Sequence, residues 1–486
     1  MTLRFPILIA ILLFPLSLIA GGFEAGEQTS IANGRGGTGV VSKTDASAAY
    51  FNPSMLAESE GFNLTLDVNF LNQNLTFQRD PLVTKLGRTE FDEIKNEKSF
   101  FPIPFIAASY DFDTDFFAMG FSLFGPHSYG KSCLTEVVDG ECITEKDNAA
   151  RHMLIGNDLL IVFAMLDAAV AFEAPGGTFL IGAGGGIAYQ DIKELDLIVD
   201  QVSPPRGEPY TENPNFQGRF AIRNATDLVP AYNFGISYIS DSGFRIGFSG
   251  RPALNWNPRG EFKIQLPDGI KDLVTVSDSE IEIELTQAGS YRLGLGWFGG
   301  THPYDNRKHL YDFEVNFVYE DWGKVDTFKA TPNAELVFLE TPLSLNPVFQ
   351  NKSYRDTYSM RLGGSYAVSN FFTILGGGFI ETAAQTSAFT NADFVSWERY
   401  SGSLGLTYDI TDFLNFTVSY THIFSPDRKV SNGKIFQQVP LSECVGPDYS
   451  APQCTTPGTP PGTSQNEGEW TTSSQVISAG IQVHFQ

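Results

Sequence analysis

Basic charge is scarce in this chain of 486 residues: 32 Lys and Arg stand against 56 Asp and Glu, a formal net charge of −24. No basic field exists to meet phosphates, which excludes a nucleic-acid partner, and the acidic excess reads as a hydrated surface. Beyond residue 20 there is no apolar run long enough to span a bilayer as a helix, so a membrane-embedded form of the mature chain has to be a closed barrel of strands. Helical periodicity is nearly absent. The 6 His are scattered without metal spacing, and no serine sits in a nucleophile-elbow pattern. The run Asp111-Phe-Asp113-Thr-Asp115 starts like a calcium loop, but Phe116 occupies the position that needs glycine. Neither an enzyme, a metal site nor a cofactor is implied.

Cysteine is sparse too, and its 4 copies form two close pairs, Cys133 with Cys142 and Cys444 with Cys454. Each pair closes a short loop if the chain is exported to an oxidising compartment, and the spacing does not suit zinc. Export is expected from the first residues. After Arg4, an apolar run extends from Phe5 to Ala20 and ends in Gly21-Gly22. That is the pattern of a signal peptide over 1–20, and it is short for a spanning anchor.

What the chain has in plenty is aromatic residues, 13% of the total with 41 Phe and 18 Tyr, and strand-like alternation. In Leu414-Asn-Phe416-Thr-Val418-Ser-Tyr420-Thr421 every second side chain is apolar, so the two faces of the strand meet different media. The same holds for Leu404, Leu406, Tyr408 and Ile410, and for Ile477, Ala479, Ile481, Val483 and Phe485. Reading alternation and turn residues gives fourteen strands between about 62 and 485. Tight links are expected at 113, 174–177, 240–243, 367–370 and 411, with a moderate one at 299–308. Long ones are expected at 72–101, 126–153, 191–231, 259–279, 323–355, 382–395 and 425–470.

Short and long connections thus alternate, which a transmembrane antiparallel barrel predicts, with periplasmic turns at one end and longer outer loops at the other. A soluble sandwich has no reason to sort its loops this way, although strand alternation alone fits both. If the apolar parity faces lipid, the inward parity holds Arg245, Arg251, Arg292 and Arg361 together with Glu314 and Glu320. These arginines either pair with Glu314, Glu320 or acids of an N-terminal plug, or one of them meets a carboxylate head group.

Residues 21–60 are rich in small side chains and contain no strand of useful length. Gly34-Arg-Gly36-Gly37-Thr-Gly39 formally matches a dinucleotide-binding loop but lacks the preceding strand and the following βαβ unit. The stretch from Asn33 through Gly39, Asp45-Ala-Ser-Ala and Asn52-Pro53-Ser54 to Ala57 instead resembles the N-terminal plug of the outer-membrane long-chain fatty-acid and hydrocarbon transporters, the FadL/TodX family. Ser54 stands where that family usually has Ala. Gly289-Ser-Tyr291-Arg292, Tyr319-Glu-Asp-Trp322 and Asp356-Thr-Tyr358-Ser-Met-Arg361 resemble family strands.

The resemblance implies an all-β fold: a 14-stranded barrel over 61–486 enclosing a plug over 21–60. It implies passive uptake of hydrophobic molecules, fatty acids or hydrocarbons, by a monomer set in outer-membrane lipid. Family members bind substrate in apolar sites under the outer loops and along the lumen, shift the first plug residues, and release the ligand sideways through a kink in the third strand. The matching positions are Phe23, Asn52, Pro53, Gly125 and Pro126; proline cannot donate to a ladder, so a break there is physically reasonable. A nonspecific pore or adhesive surface barrel is the alternative function.

Overall fold

The computed structural model describes residues 26–436 and 464–485, apart from 85–86, 127–130, 140, 143–147, 201–216, 267–270, 273, 277–278, 302–308, 339 and 346. Fourteen antiparallel strands close into one barrel. In chain order they are β1 Phe62–Arg79, β2 Phe100–Tyr110, β3 Phe117–Phe124, β4 Gly156–Ala174, β5 Gly177–Asp200, β6 Gln217–Ser240 and β7 Phe244–Arg251. Then follow β8 Ser290–Thr301, β9 His309–Glu320, β10 Thr357–Ala367, β11 Phe372–Glu381, β12 Arg399–Thr411, β13 Leu414–Phe424 and β14 Gly468–Phe485. Each pairs with the next, and β14 returns to β1 with Phe485 opposite Phe62 and Gly468 opposite Arg79.

The polarity is inverted relative to a soluble sheet. Along β1, Thr65 and Asn69 are 0% exposed, whereas Phe62 and Leu66 are 39% and 40% exposed. A sandwich would bury the apolar row; here that row is outside, which disposes of the soluble alternative. Aromatic rows mark the two ends of the apolar band. Tyr291, Tyr319 and Tyr358 stack across β8, β9 and β10 at 6.1 and 5.4 Å. At the tight-turn end, Phe413 and Phe62 flank Phe485 at 5.5 and 6.5 Å, and Phe372 stacks on Tyr408 at 5.0 Å.

The expected long connection at 191–231 is in large part strand: β5 and β6 pair from Gly177 opposite Ser240 to Asp200 opposite Gln217. Alternation is masked there because the ladder from β4 slips by one residue between Asp158 and Leu159, and Asn224 takes a φ of 51°. Pro230 also reads as a breaker, yet it is tolerated opposite Ile187. Likewise β7 ends at Arg251, and the chain beyond Pro252 re-forms short strands at Leu254–Trp256 and Arg259–Gln265.

Residues 26–61 lie within the ring and touch inward side chains from all around it. Helix α1 (Ser30–Gly34) is capped by Thr29, whose hydroxyl accepts from the Ala32 N–H at 3.3 Å. It runs into Gly36 and Gly37, whose φ values of +65° and +84° make the tight turn that the dinucleotide-like pattern encodes. Helix α2 (Ala48–Phe51) and a 3-10 turn (Pro53–Glu58) follow, hinged on Asn52. The wall admits this backbone through glycine. A Cβ built on Gly363 would overlap the Arg35 carbonyl oxygen and stand 2.5 Å from Thr38 Oγ1.

Candidate functional site

The lumen has two tiers. At plug level it is polar and charged, as the inward parity of the strands requires. Above, toward the long connections, it is lined by Leu159, Ile192, Leu197, Phe220, Ile222 and Ile283.

Most inward arginines hold the plug. Arg361 pairs with the buried plug residue Glu27, and Arg292 approaches the same carboxylate at 3.5 Å. Arg361 also lies 3.5 Å from Glu381, which pairs with Arg399. From the plug side, Arg35 pairs with Asp312 and, at 3.5 Å, with Glu314. Glu314 accepts the Val41 N–H at 3.1 Å and Asn316 accepts the Gly39 N–H at 3.2 Å. Arg245 donates to the Val41 carbonyl at 3.3 Å and lies 4.1 Å over the Phe298 ring. Glu320 accepts from the Trp322 indole at 2.7 Å.

Asn52 is a buried pin. Its amide donates to the Val40 carbonyl and to Ser237 Oγ, both at 2.9 Å, and its carbonyl accepts from Ser54 N at 3.2 Å. The Ser54 hydroxyl, placed where the resemblance expects Ala, lies 2.8 Å from Asn52 Oδ1 and 2.8 Å from Ser237 Oγ. The serine therefore adds a bond between plug and wall without disturbing the turn.

Arg251 is set among rings rather than on a plug carbonyl or carboxylate. Its guanidinium lies over three rings, Tyr50 at 5.2 Å, Phe124 at 5.1 Å and Phe163 at 5.2 Å. No acid among the described residues stands within ion-pairing distance of it. It lines a small cavity together with Arg292, Tyr50, Phe124, Pro53 and Ser249. Arg292 donates to the Tyr50 hydroxyl at 3.0 Å within the same wall. Two cations, a phenol and several rings thus converge on one space, a set suited to an anionic group attached to an apolar body.

This cavity adjoins the end of β3. Pairing of β3 with β4 stops at Phe124 opposite Phe163, and Gly125 and Pro126 lie outside any strand. The Gly125 carbonyl, left out of the ladder, accepts from the plug's Gln28 side chain at 2.7 Å.

A second, larger and more apolar cavity lies in the upper tier between Leu159, Ile192, Phe220, Ile283, Phe328 and Phe394. Its polar lining is confined to Asn157, Lys329 and Gln350. Behind it the outer connections are tied by a buried pair, Lys352 with Asp393, with the Lys352 ammonium 4.6 Å over Phe328. Burial pushes this ammonium below its usual pKa, against the pull of Asp393. Strand β4 passes both cavities, presenting Leu159 to the upper and Met165 to the lower.

Of the sequence-derived positions, Arg251, Arg292 and Pro53 meet at the lower cavity, with Gly125 and Pro126 beside it. Arg361, Arg245 and Asn52 brace the plug. Phe23 lies outside the described residues. Cys133 and Cys142 form a disulfide beside the top of β4, where Cys133 pairs with Gly156; Cys444 and Cys454 lie outside the described residues. Sequence reasoning missed Glu27 and Gln28, which carry no local motif, and Tyr50, whose position inside the Ala-Ala-Tyr-Phe-Asn run was the available signal.

Comparison with known proteins agrees with this architecture. The family model described as outer membrane protein transport protein (OMPP1/FadL/TodX) matches residues 12–443. A FadL homologue from Pseudomonas aeruginosa superposes with a TM-score of 0.75 at 15% identity, covering 96% of this chain and 100% of that one. The toluene transporter TbuX from Ralstonia pickettii gives 0.59 at 13%, and TodX from P. putida gives 0.59 at 13%, each covering 95% of this chain and 99% of the other. No curated protein sequence matches the chain. The family model, over most of the chain, and the closed barrel together define an outer-membrane protein that transports hydrophobic compounds. The chain belongs to the FadL/TodX family.

Proposed function

We propose that this protein takes up long-chain amphiphiles, fatty acids in the first place and hydrocarbons in the second, without an energy source of its own. The chain of the ligand enters the upper cavity, where leaving water stabilises it by roughly 25 cal/mol per Å² of apolar surface buried. The head then comes to rest by Arg251 in the lower cavity. Release is sideways past Gly125 and Pro126 once the first plug residues shift, and the emptied lumen remains shut to small polar solutes. Residues 1–20 serve export and are absent from the mature monomer.

The observation that carries the substrate class is Arg251, a cation set among three rings with no acid of the described residues within ion-pairing distance, the buried Asp167 carboxylate acting on it only from farther off. Arg35 and Arg361, which lock the plug, have acidic partners, and Arg245, which has none within ion-pairing distance, donates to a plug carbonyl; among the described residues Arg251 does neither. Mass spectrometry of lipids retained through purification tests the reading, together with swelling of protein-loaded liposomes in small sugars. Fatty acids in the extract and no swelling are expected. Rapid swelling with no retained apolar ligand would instead favour a nonspecific pore.

A further inference from the structure

We infer that Glu27 is a built-in stand-in for the ligand's carboxylate, and that an anionic head group trips the plug by taking Arg292 away from it. The inference rests on the uptake reading above and adds the trigger and the charge it requires.

Glu27 and Gln28 are successive residues with separate tasks on the wall. The Glu27 carboxylate is shared between Arg361, with which it pairs, and Arg292, whose Nη2 is 3.5 Å away. The Gln28 amide holds the Gly125 carbonyl at 2.7 Å. Arg292 faces two ways, toward Glu27 on one side and into the Arg251 cavity on the other. A carboxylate placed between Arg251 and Arg292 therefore competes with Glu27 for the same guanidinium.

Exchange is favoured at this point because the Arg292 contact, longer than the Arg361 pair, is the one given up. Arg361 keeps the Glu27 charge paired throughout, so no buried anion is left without a partner. The backbone of Glu27 is meanwhile clamped to α1, its N–H donating to Asn33 Oδ1 and its carbonyl accepting from Asn33 Nδ2, both at 2.7 Å. Drawn fully to Arg361, the Glu27 side chain pulls against this clamp and loosens it, and the Gln28 side chain next to it gives up its hold on Gly125. The freed carbonyl lies at the end of β3, where the wall has no ladder partner to replace the amide.

A neutral chain fills the same apolar space but has nothing to offer Arg292. Acid and ester forms of one chain separate the two contributions. Binding of hexadecanoate and of methyl hexadecanoate is measured on the full-length protein in lipid nanodiscs, with deuterium exchange followed in peptides spanning Glu27 to Asn33. Both ligands should bind, the acid more tightly. Only the acid should raise exchange in these peptides. Glu27→Gln should bind the acid about fivefold more tightly than the parent and leave the ester unchanged, while Glu27→Asp restores the parent ratio. Arg251→Met, which breaks no ion pair among the described residues, should abolish the preference for the acid; heat-modifiable migration confirms that each variant is folded. An acid-to-ester ratio untouched by both Glu27→Gln and Arg251→Met overturns the inference while leaving the uptake reading in place. Failure of the parent protein to bind either ligand overturns the uptake reading, and the inference with it.

Discussion

Gly363 offers a way to weigh the plug's hold on the barrel. Its side-chain position on β10 is occupied by the plug backbone: an added methyl would overlap the Arg35 carbonyl oxygen and lie 2.8 Å from the Arg35 carbonyl carbon. Both neighbours are main chain, so neither can rotate out of the way, and the strain belongs at the upper end of the range of about 1–3 kcal/mol for overpacking. Against this stands the hold of Arg35 on Asp312 and Glu314, whose loss would leave buried charge unpaired at a cost of about 3–5 kcal/mol. The hold exceeds the strain. Gly363→Ala should therefore lower the free energy of unfolding by about 2–3 kcal/mol yet leave the barrel electrically closed. Gly363→Leu, with three further carbons in the same place, should exceed the hold and open the lumen. The assays are denaturant unfolding in detergent micelles and conductance in planar bilayers. Gly402, on the lipid side of β12 with nothing within 4 Å of a built Cβ, is the control. If Gly363→Ala and Gly402→Ala unfold at the same denaturant concentration, the plug does not sit on the wall as described.

Other expectations follow from the buried contacts. Asn52→Ala removes bonds to Val40 and Ser237 and leaves the Val40 carbonyl short of a donor, which should cost about 1–3 kcal/mol in unfolding measurements; Asn52→Asp should fare no better, because a carboxylate cannot donate to that carbonyl. Asp393→Ala should strip the outer connections of about 3–5 kcal/mol by stranding Lys352, and Lys352→Met in the same chain should recover most of it, as a double-mutant cycle followed by limited proteolysis would record. Because burial holds the Lys352 ammonium below its usual value near 10.5, the folded state binds fewer protons there than the unfolded one. Its contribution to stability accordingly rises with pH up to about 10.5. Protease resistance of the parent relative to Lys352→Met should increase across that window, and a decrease would show that pairing with Asp393 outweighs burial.

The strands nearest the C-terminus were the most legible, since from β10 to β14 the apolar parity runs unbroken and the links are tight or plainly long. The extension of β5 and β6 was not legible: a one-residue slip in the ladder and an interior proline erase the alternation on which strand reading depends. The inward parity of the arginines followed from the cost of charge in lipid, but their partners did not. Glu27 lies hundreds of residues from Arg361, and only closure of the ring brings the two together. The charged interior inferred from parity describes the plug level alone. The apolar upper tier comes from residues in the outer connections and in the ends of β4 to β6 that reach beyond the apolar band, where no membrane imposes a pattern.

The seam between Phe62 and Phe485 joins the first strand to the last. A chain emerging N-terminus first cannot complete this hoop until its final residues arrive, and by then the segment it encloses has no wide mouth through which to be threaded. Packing of that segment must accompany the closing of the hoop, so a substitution that loosens it should delay assembly of the whole barrel as well as its later performance.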